Sequence, residues 1–127
     1  MTINKAIAQV DHLLDNEIPH EMKIAWLSAL DHLLYLDVIM THEGKENVTF
    51  TPYTAYDGDK ELLVSHPHDS LIYPEYLKMK INGELYDSVR YNNNMAACNS
   101  ALAEWRAFYN RSHRPLYSPN ISYGRRT

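Results

Sequence analysis

The spacing of apolar positions in the last third of the chain predicts a long α-helix over residues 84–113. This stretch contains neither Pro nor Gly, and from residue 91 its apolar side chains recur at intervals of three and four. That spacing places six of them on one helical face, namely Tyr91, Met95, Cys98, Leu102, Trp105 and Tyr109. Such a helix would be about 45 Å long, whereas a compact globule of this chain length is about 36 Å across. We therefore expect it to protrude or to lie against another subunit.

Two more helices are predicted in the first third of the chain. Residues 2–14 carry apolar side chains at helical spacing, and Thr2 is a residue type that caps helix N-termini. The second helix is predicted from Pro19, which is tolerated at a first helical position, to about residue 40. Apolar residues cover most of its circumference, which is typical of a helix buried on more than one side. We expect it to form the centre of the core.

Residues 47–65 predict a small β-hairpin or an extended arm between helices 2 and 3. Residues 48–51 alternate apolar and polar side chains, Asp57-Gly58 is a turn signal, and residues 61–64 are suited to a returning strand. Because two strands alone are only marginally stable in water, we expect this arm to lean on a neighbour.

The third helix follows the arm, and the sequence leaves its start open. Asp69 or Ser70 is suited to cap it, whereas Pro74 is suited to be its first helical residue. Asn82-Gly83 predicts its C-terminus or a hinge.

The whole pattern predicts a mainly α fold, a helical bundle of about four helices. We expect one domain over residues 1–115. Residues 116–127 contain Pro, Gly, Ser and two arginines but no acidic residue, which predicts an irregular basic C-terminal tail.

Composition narrows the class of protein. The 127 residues are enough for one modest core, and the single cysteine excludes an internal disulfide and is consistent with a reducing compartment. No secretory signal and no apolar run of membrane-spanning length is visible, so we expect no membrane association. The net charge of −4 divides into −9 over residues 1–75 and +5 over residues 76–127. Opposite signs suit head-to-tail contacts between copies, and two simply solvated faces are the alternative.

Candidate chemistry is sparse. His66, His68 and Asp69 form the densest cluster of metal-ligating residue types, but no further ligands occur at a recognised spacing, which favours a structural turn. Cys98 falls on the apolar stripe of the long helix, where a small buried hydrophobe is expected rather than a nucleophile. No phosphate-binding loop or hydrolase motif is present. We expect no enzymatic activity, no cofactor and no metal.

Two groups of residues are candidates for a subunit or portal interface. Tyr91, Asn92 and Asn93 are candidates because Asn is unusual inside a helix and can hydrogen-bond across a subunit boundary, with plain solvent exposure as the alternative. The second group consists of basic residues just before and within the C-terminal tail, namely Arg111, Arg114, Arg125 and Arg126. This tail would bind a partner surface, an anionic polymer or nothing.

Several short runs carry a resemblance to a known family. The chain contains, in order, MKIAWL (22–27), THEG (41–44), VTF (48–50), ELLV (61–64), NGE (82–84), RYNN (90–93) and YNRSHRP (109–115). In order and spacing these runs resemble the small head–tail connector proteins, also called adaptor or head-completion proteins, of tailed phages and of prophages in Gram-positive bacteria. The resemblance extends over most of the chain, from about residue 22 to residue 115.

The resemblance implies a structural role in the virion. Such connectors are all-helical domains, made in the bacterial host cytoplasm, that form a ring under the portal and extend the DNA channel. The implied partners are the portal protein, a tail-side completion protein and further copies of the chain, and DNA would pass through without specific binding. Asp57, Asp59 and Glu61 are then candidate channel-lining residues, because acidic groups repel phosphates.

Other functions are left open by the sequence. A small helical DNA-binding regulatory protein and a tail-completion component are the alternatives. A metal-dependent enzyme that uses His66, His68 and Asp69 is the third.

Overall fold

The fold was obtained as a computed structural model, which describes residues 1–42 and 49–113. Within these residues the chain is a mainly helical bundle and contains no β-strand, which confirms the predicted fold class. The helices are α1 (Ile3–Leu13), α2 (His20–Asp37), α3 (Asp69–Glu84) and α4 (Ser88–Ser112), with a short 3-10 helix, Ile39–Thr41, after α2.

Side-chain caps explain the starts of two of the four described α-helices, α1 and α4. The hydroxyl of Thr2 accepts a hydrogen bond from the Lys5 amide (3.2 Å), which confirms the predicted cap of α1. Pro19 is the residue before α2 rather than its first helical residue. The side chain of Asp87 caps α4 by accepting a hydrogen bond from the Arg90 amide (3.0 Å).

Neither predicted start of α3 is correct. His68 is its N-cap, Asp69 is already helical, and Pro74 lies inside the helix. Pro74 is the sixth residue of α3 and has no N–H, so the helix lacks the hydrogen bond that this position would otherwise donate to the Ser70 carbonyl.

The centre of the bundle is α3, with α4 on one side and α1 and α2 on the other. The Cys98 thiol lies 3.9 Å from the Ile72 carbonyl, and Asn94 bonds to Glu75, so α4 runs antiparallel to α3. Tyr73 bonds to Asp31 of α2, and the Lys80 ammonium lies 5.6 Å from the centroid of the Trp26 ring, so α2 also runs antiparallel to α3. The helices α2 and α4, both fully described, therefore run in the same direction and do not pack against each other.

The predicted long helix is interrupted at residues 85–87. Tyr86 has a φ of 57°, a left-handed conformation that ends the helical path, and the Asp87 amide donates back to the Asn82 carbonyl (3.0 Å). The remaining helix, α4, has 25 residues and a length of about 37 Å. Its apolar stripe packs against α3, with Trp105 buried, so this stripe does not need another subunit to cover it.

The predicted β-hairpin is not formed by residues 49–65, the described part of the arm. Its one β-type pairing is an isolated antiparallel bridge between Thr2 and Glu61. The arm leans on its own domain and not on a neighbour, because Leu62 and Val64 are buried in the core.

The two sides of α2 have different environments. One side is buried against the rest of the core, whereas the expectations that α2 is buried on more than one side and forms the centre of the core are wrong. The opposite side carries an apolar stripe that faces solvent, namely Met22, Ala25, Ala29, Leu33 and Leu36. We call this stripe the α2 outer face. The segment His20–Thr41 is the one described helical segment long and apolar enough to cross a membrane by length and composition alone, and half of it is buried in the bundle, as expected of a core helix.

Candidate functional site: the Asp31 centre and the α2 outer face

Asp31 is a carboxylate with no exposed surface that joins three parts of the fold. It accepts hydrogen bonds from the Tyr53 hydroxyl (2.5 Å) and the Leu63 amide (2.9 Å) of the arm, and from the Tyr73 hydroxyl (2.7 Å) of α3. A buried carboxylate is tolerated when several donors satisfy its oxygens. We call these four residues the Asp31 centre, and it fastens the arm and α3 to α2.

Two further bonds extend this centre. The Tyr53 amide donates to the Ser28 hydroxyl (2.9 Å), and the Val64 amide donates to the Tyr73 hydroxyl (2.8 Å). Each tyrosine therefore holds the arm through a second contact. Hydrogen bonds that are connected in a network hold the groups they join more rigidly than isolated hydrogen bonds do.

Burial sets the protonation of the Asp31 centre. Loss of solvent raises the pKa of Asp31, while the hydrogen bonds from Tyr53, Tyr73 and Leu63 act in the opposite direction. Burial, together with the neighbouring Asp31, also raises the pKa values of Tyr53 and Tyr73. Both phenols consequently remain protonated donors at neutral pH, and the centre is suited to holding structure.

A second polar contact holds the end of α4. One ring nitrogen of His42 lies 2.5 Å from the Val38 carbonyl and the other lies 2.8 Å from Asn110 Oδ1. The same ring meets Tyr109 edge-on, with ring centroids 4.6 Å apart. The C-terminal ends of α2 and α4 are therefore tied together through His42.

The predicted channel-lining residues share one loop but have different surroundings. Asp57 accepts a hydrogen bond from the Thr54 amide (2.7 Å), which lowers the pKa of that carboxyl and closes a turn. Glu61 lies 2.9 Å from the ammonium group of Met1. Asp59 is exposed to solvent. Two of the three acids therefore have local structural contacts.

The predicted interface residues are also dispersed. Tyr91 is half-buried against Gly83, where an added Cβ would lie 3.2 Å from the tyrosine ring, so only glycine fits this approach without displacement. Asn92 and Asn93 are exposed. The neighbouring Asn94 makes the hydrogen bonds of this run, to Asn82 (2.8 Å) and Glu75 (3.0 Å).

The predicted basic residues lie at and beyond the end of α4. Arg111 is exposed on its last turn. Arg114, Arg125 and Arg126 lie outside the described residues.

The members of the predicted histidine cluster, His66, His68 and Asp69, do not converge on one point. His66 Nδ1 lies 3.5 Å from one oxygen of Asp69, whose other oxygen lies 2.9 Å from the Met1 ammonium. The ring of His68 packs on Phe108, with centroids 4.9 Å apart. In residues 1–42 and 49–113, no group of three or more His, Cys, Asp or Glu side chains is placed to hold a metal ion.

Cys98 is expected to react slowly with thiol reagents in the folded protein. Burial, with a smaller contribution from Glu75, raises its pKa to about 11, so little thiolate is present near pH 8. We expect labelling by a chromogenic disulfide at pH 8 to be much slower in buffer than in denaturant. Equal rates in the two solvents would contradict the buried position.

The α2 outer face is a feature that was not predicted as a surface. Leu33 is 52% exposed and Leu36 is 48% exposed, and the stripe continues along the whole helix. Single exposed apolar residues are ordinary, whereas a continuous apolar stripe marks a contact surface. The sequence signal was the apolar composition around most of the circumference of α2, which predicted burial on more than one side, whereas only one side is buried in the described residues.

Comparison of this chain with protein-family models, with curated proteins and with solved structures finds no match. The surfaces and buried groups of the chain itself are therefore the basis for its proposed function.

Proposed function

We propose that the protein is a structural virion protein, a head–tail connector or adaptor that forms a ring under the portal and extends the DNA channel toward the tail. The observation that carries this proposal is the α2 outer face, an apolar stripe that runs along the solvent side of a whole helix. A domain of this kind gains stability by covering the stripe with protein. The order and spacing of the runs that resemble connector proteins supply the virion context.

The internal construction suits a building block. The Asp31 centre and the His42 contact fasten the arm, α2, α3 and α4 to one another. Rigid domains bind without the entropic cost of ordering loops. The proposed partners are the portal protein, a tail-side completion protein and further copies of the same chain, in the virion.

Asp59 is the best of the candidate channel-lining residues for a test. Replacement of Asp57 or Glu61 would also disturb a turn or the contact with Met1, whereas Asp59 is exposed. A lysine at this position would attract phosphate where a carboxylate repels it. In particles carrying Asp59→Lys we expect slower DNA ejection than in particles carrying Glu104→Lys, a matched charge change on α4. Equal ejection by both would exclude Asp59 from the channel.

The decisive experiment is electron microscopy of the protein mixed with the portal protein of its own phage. The proposal predicts an additional ring of density on the tail-facing side of the portal. A ring found only on tail ends would instead identify a tail-completion component. Absence of any ring, at protein concentrations well above those of the portal, would overturn the proposal.

A DNA-binding regulatory protein would behave differently. Such a protein needs clustered Lys and Arg on its reading helix, whereas the α2 outer face contains neither. We expect no shift of duplex DNA in a gel at moderate salt. A salt-sensitive shift at micromolar protein would favour the regulatory alternative.

A further inference from the structure

We propose that the α2 outer face of one copy docks on the outward side of α4 of the next copy, so that the chain assembles head to tail. This inference rests on the proposed function, because it names the two surfaces through which the copies of a ring would touch. The occupant of the apolar stripe is accordingly a second copy of this chain.

The outward side of α4 has the right shape for an apolar partner. The helix turns its large residues inward onto α3, and its outward side carries residues that are mostly small and all exposed: Val89, Ala96, Ser100, Ala103 and Ala107. We call this stripe the α4 outer face. Small side chains leave grooves into which the larger side chains of a facing helix fit.

The two stripes have the same internal spacing. On the α2 outer face the residues at 22, 29, 33 and 36 are separated by 7, 4 and 3 positions, and on the α4 outer face those at 89, 96, 100 and 103 are separated by the same intervals. Ala25, the remaining residue of the α2 outer face, corresponds to the exposed Asn92. Two parallel helices can therefore meet along their whole length. In this alignment Leu33 faces Ser100 and Leu36 faces Ala103, so that these two large side chains meet small ones, while Met22 meets Val89.

The fold already holds both stripes at matching heights. Asp31 bonds to Tyr73 of α3, and the adjacent Ile72 contacts Cys98 of α4, so residues 31 and 98 lie at about the same level. These numbers differ by 67, which is also the difference between residue 33 and residue 100. Because α2 and α4 run in the same direction, a sideways displacement of one copy brings its α2 outer face level with the α4 outer face of the next.

The position of α3 makes this contact head to tail. It lies between α2 and α4, which do not pack on each other within the described chain, and both outer faces turn away from it. Contact between two different surfaces continues from copy to copy and closes into a ring when the rotation allows. A paired contact of α2 with α2 would stop at a dimer.

Charges at both ends of the stripes are complementary. The exposed flanks of α2 carry Glu21 and Asp37, while α4 exposes Arg106 and also Arg90, whose Nε lies 3.5 Å from Asp87 of the same copy. The alignment pairs each residue of α2 with the residue numbered 67 higher in the next copy. Glu21 then lies opposite position 88, two residues from Arg90, and Asp37 lies opposite position 104, two residues from Arg106. Opposite charges around an apolar contact fix its alignment and suppress wrong pairings.

Disulfide trapping tests the contact directly. A variant with Leu33→Cys and Ser100→Cys, in a Cys98→Ala background, is oxidised at high protein concentration and run on a non-reducing gel. We expect a ladder of covalent multimers. The matched control replaces Leu33→Cys by Leu71→Cys, on α3 and 50% exposed, and should give at least tenfold less product. Equal ladders, or no ladder, would overturn the proposal.

Mixing the single variants identifies the geometry. Leu33→Cys mixed with Ser100→Cys should give one covalent dimer, and neither variant alone should give any. Efficient dimers of Leu33→Cys alone would show an α2–α2 contact and would overturn the head-to-tail arrangement. Circular dichroism of each variant checks that the fold is retained.

A disruptive variant separates this inference from the proposed function. Leu36→Glu should abolish ring formation on the portal in electron micrographs, while Leu71→Glu should leave it intact. If wild-type rings form and Leu36→Glu does not weaken them, the surface is wrong while the connector function stands. If the cysteine ladder forms but no ring ever appears on the portal, the surface stands and the connector function is wrong.

Discussion

Replacement of Asp31 with alanine is expected to lower the free energy of unfolding by about 3 kcal/mol or more, since each buried donor left without an acceptor costs roughly 1–3 kcal/mol. Three donors lose their acceptor in this variant: the hydroxyls of Tyr53 and Tyr73 and the amide of Leu63. Urea unfolding followed by circular dichroism measures the change.

The control for this prediction is Asp59→Ala, which removes an exposed carboxylate. Surface substitutions of this kind change stability by about 0.5 kcal/mol or less. A loss no larger in Asp31→Ala than in Asp59→Ala would contradict the structural role of the Asp31 centre.

The same carboxylate predicts a pH dependence. Burial raises the pKa of Asp31 above its ordinary value of 3.8, so between these two values the folded protein retains a proton that the unfolded chain has released. The contribution of this group to stability is complete below 3.8 and is lost as the pH rises through the raised pKa. Relative to Asp31→Asn, the wild-type protein should therefore become more stable as the pH is lowered from 7 toward 4. The reverse trend would show that the hydrogen bonds outweigh burial.

Replacement of Trp105 with alanine is expected to cost about 3–5 kcal/mol, the range for removing a large aromatic side chain from a core. The indole is 2% exposed and packs beside Tyr109, with ring centroids 5.6 Å apart. Thermal and urea unfolding of the isolated protein measure the loss. If α4 were folded only within an assembly, the isolated chain would lose little.

Phe108→Ala is the matched control on the same helix. Its side chain is 38% exposed, so less apolar contact is lost and we expect about 1 kcal/mol. Similar losses for Trp105→Ala and Phe108→Ala would argue that the inward side of α4 had been assigned incorrectly.

Helical periodicity predicted the elements of this fold well and their ends less well. The stripe of α4 is inward as its spacing indicated, but Leu85 and Val89 continue the apolar pattern across the break at residues 85–87. The conspicuous Asn82-Gly83 signal lies before that break, whereas the residue with positive φ is Tyr86. Tertiary contacts, here between α3 and α4, decide where the chain reverses.

The Asp31 centre was less accessible to prediction. Tyr53 and Tyr73 are far from Asp31 in the sequence, and nothing in their local pattern links them. One signal was present: Asp31 occupies the same helical face as Ile24, Leu27, Leu34 and Val38. A single acid on an otherwise apolar inward face needs donors from elsewhere in the chain, and tyrosine is a common source of them.

The arm was misassigned for a related reason. Alternation over residues 48–51 and the Asp57-Gly58 turn are typical of hairpins, but the burial of Leu62 and Val64 and the bond from Leu63 to Asp31 seat the segment on α2 and α3. The local sequence pattern indicated that this segment is extended, but it could not indicate which helices the segment would pack against.

The seating of the arm on the Asp31 centre has a consequence for how the domain opens. A segment without strands would ordinarily exchange its amide hydrogens quickly, yet the amides of Tyr53, Leu63 and Val64 all donate to groups within or beside this centre. Their release requires the arm to leave α2 and α3, which would deprive the buried Asp31 of two of its donors, so we expect these three sites to exchange at rates close to that of global unfolding. The arm and the helices then behave as one cooperative unit, and exchange of arms between copies would require each domain to unfold first.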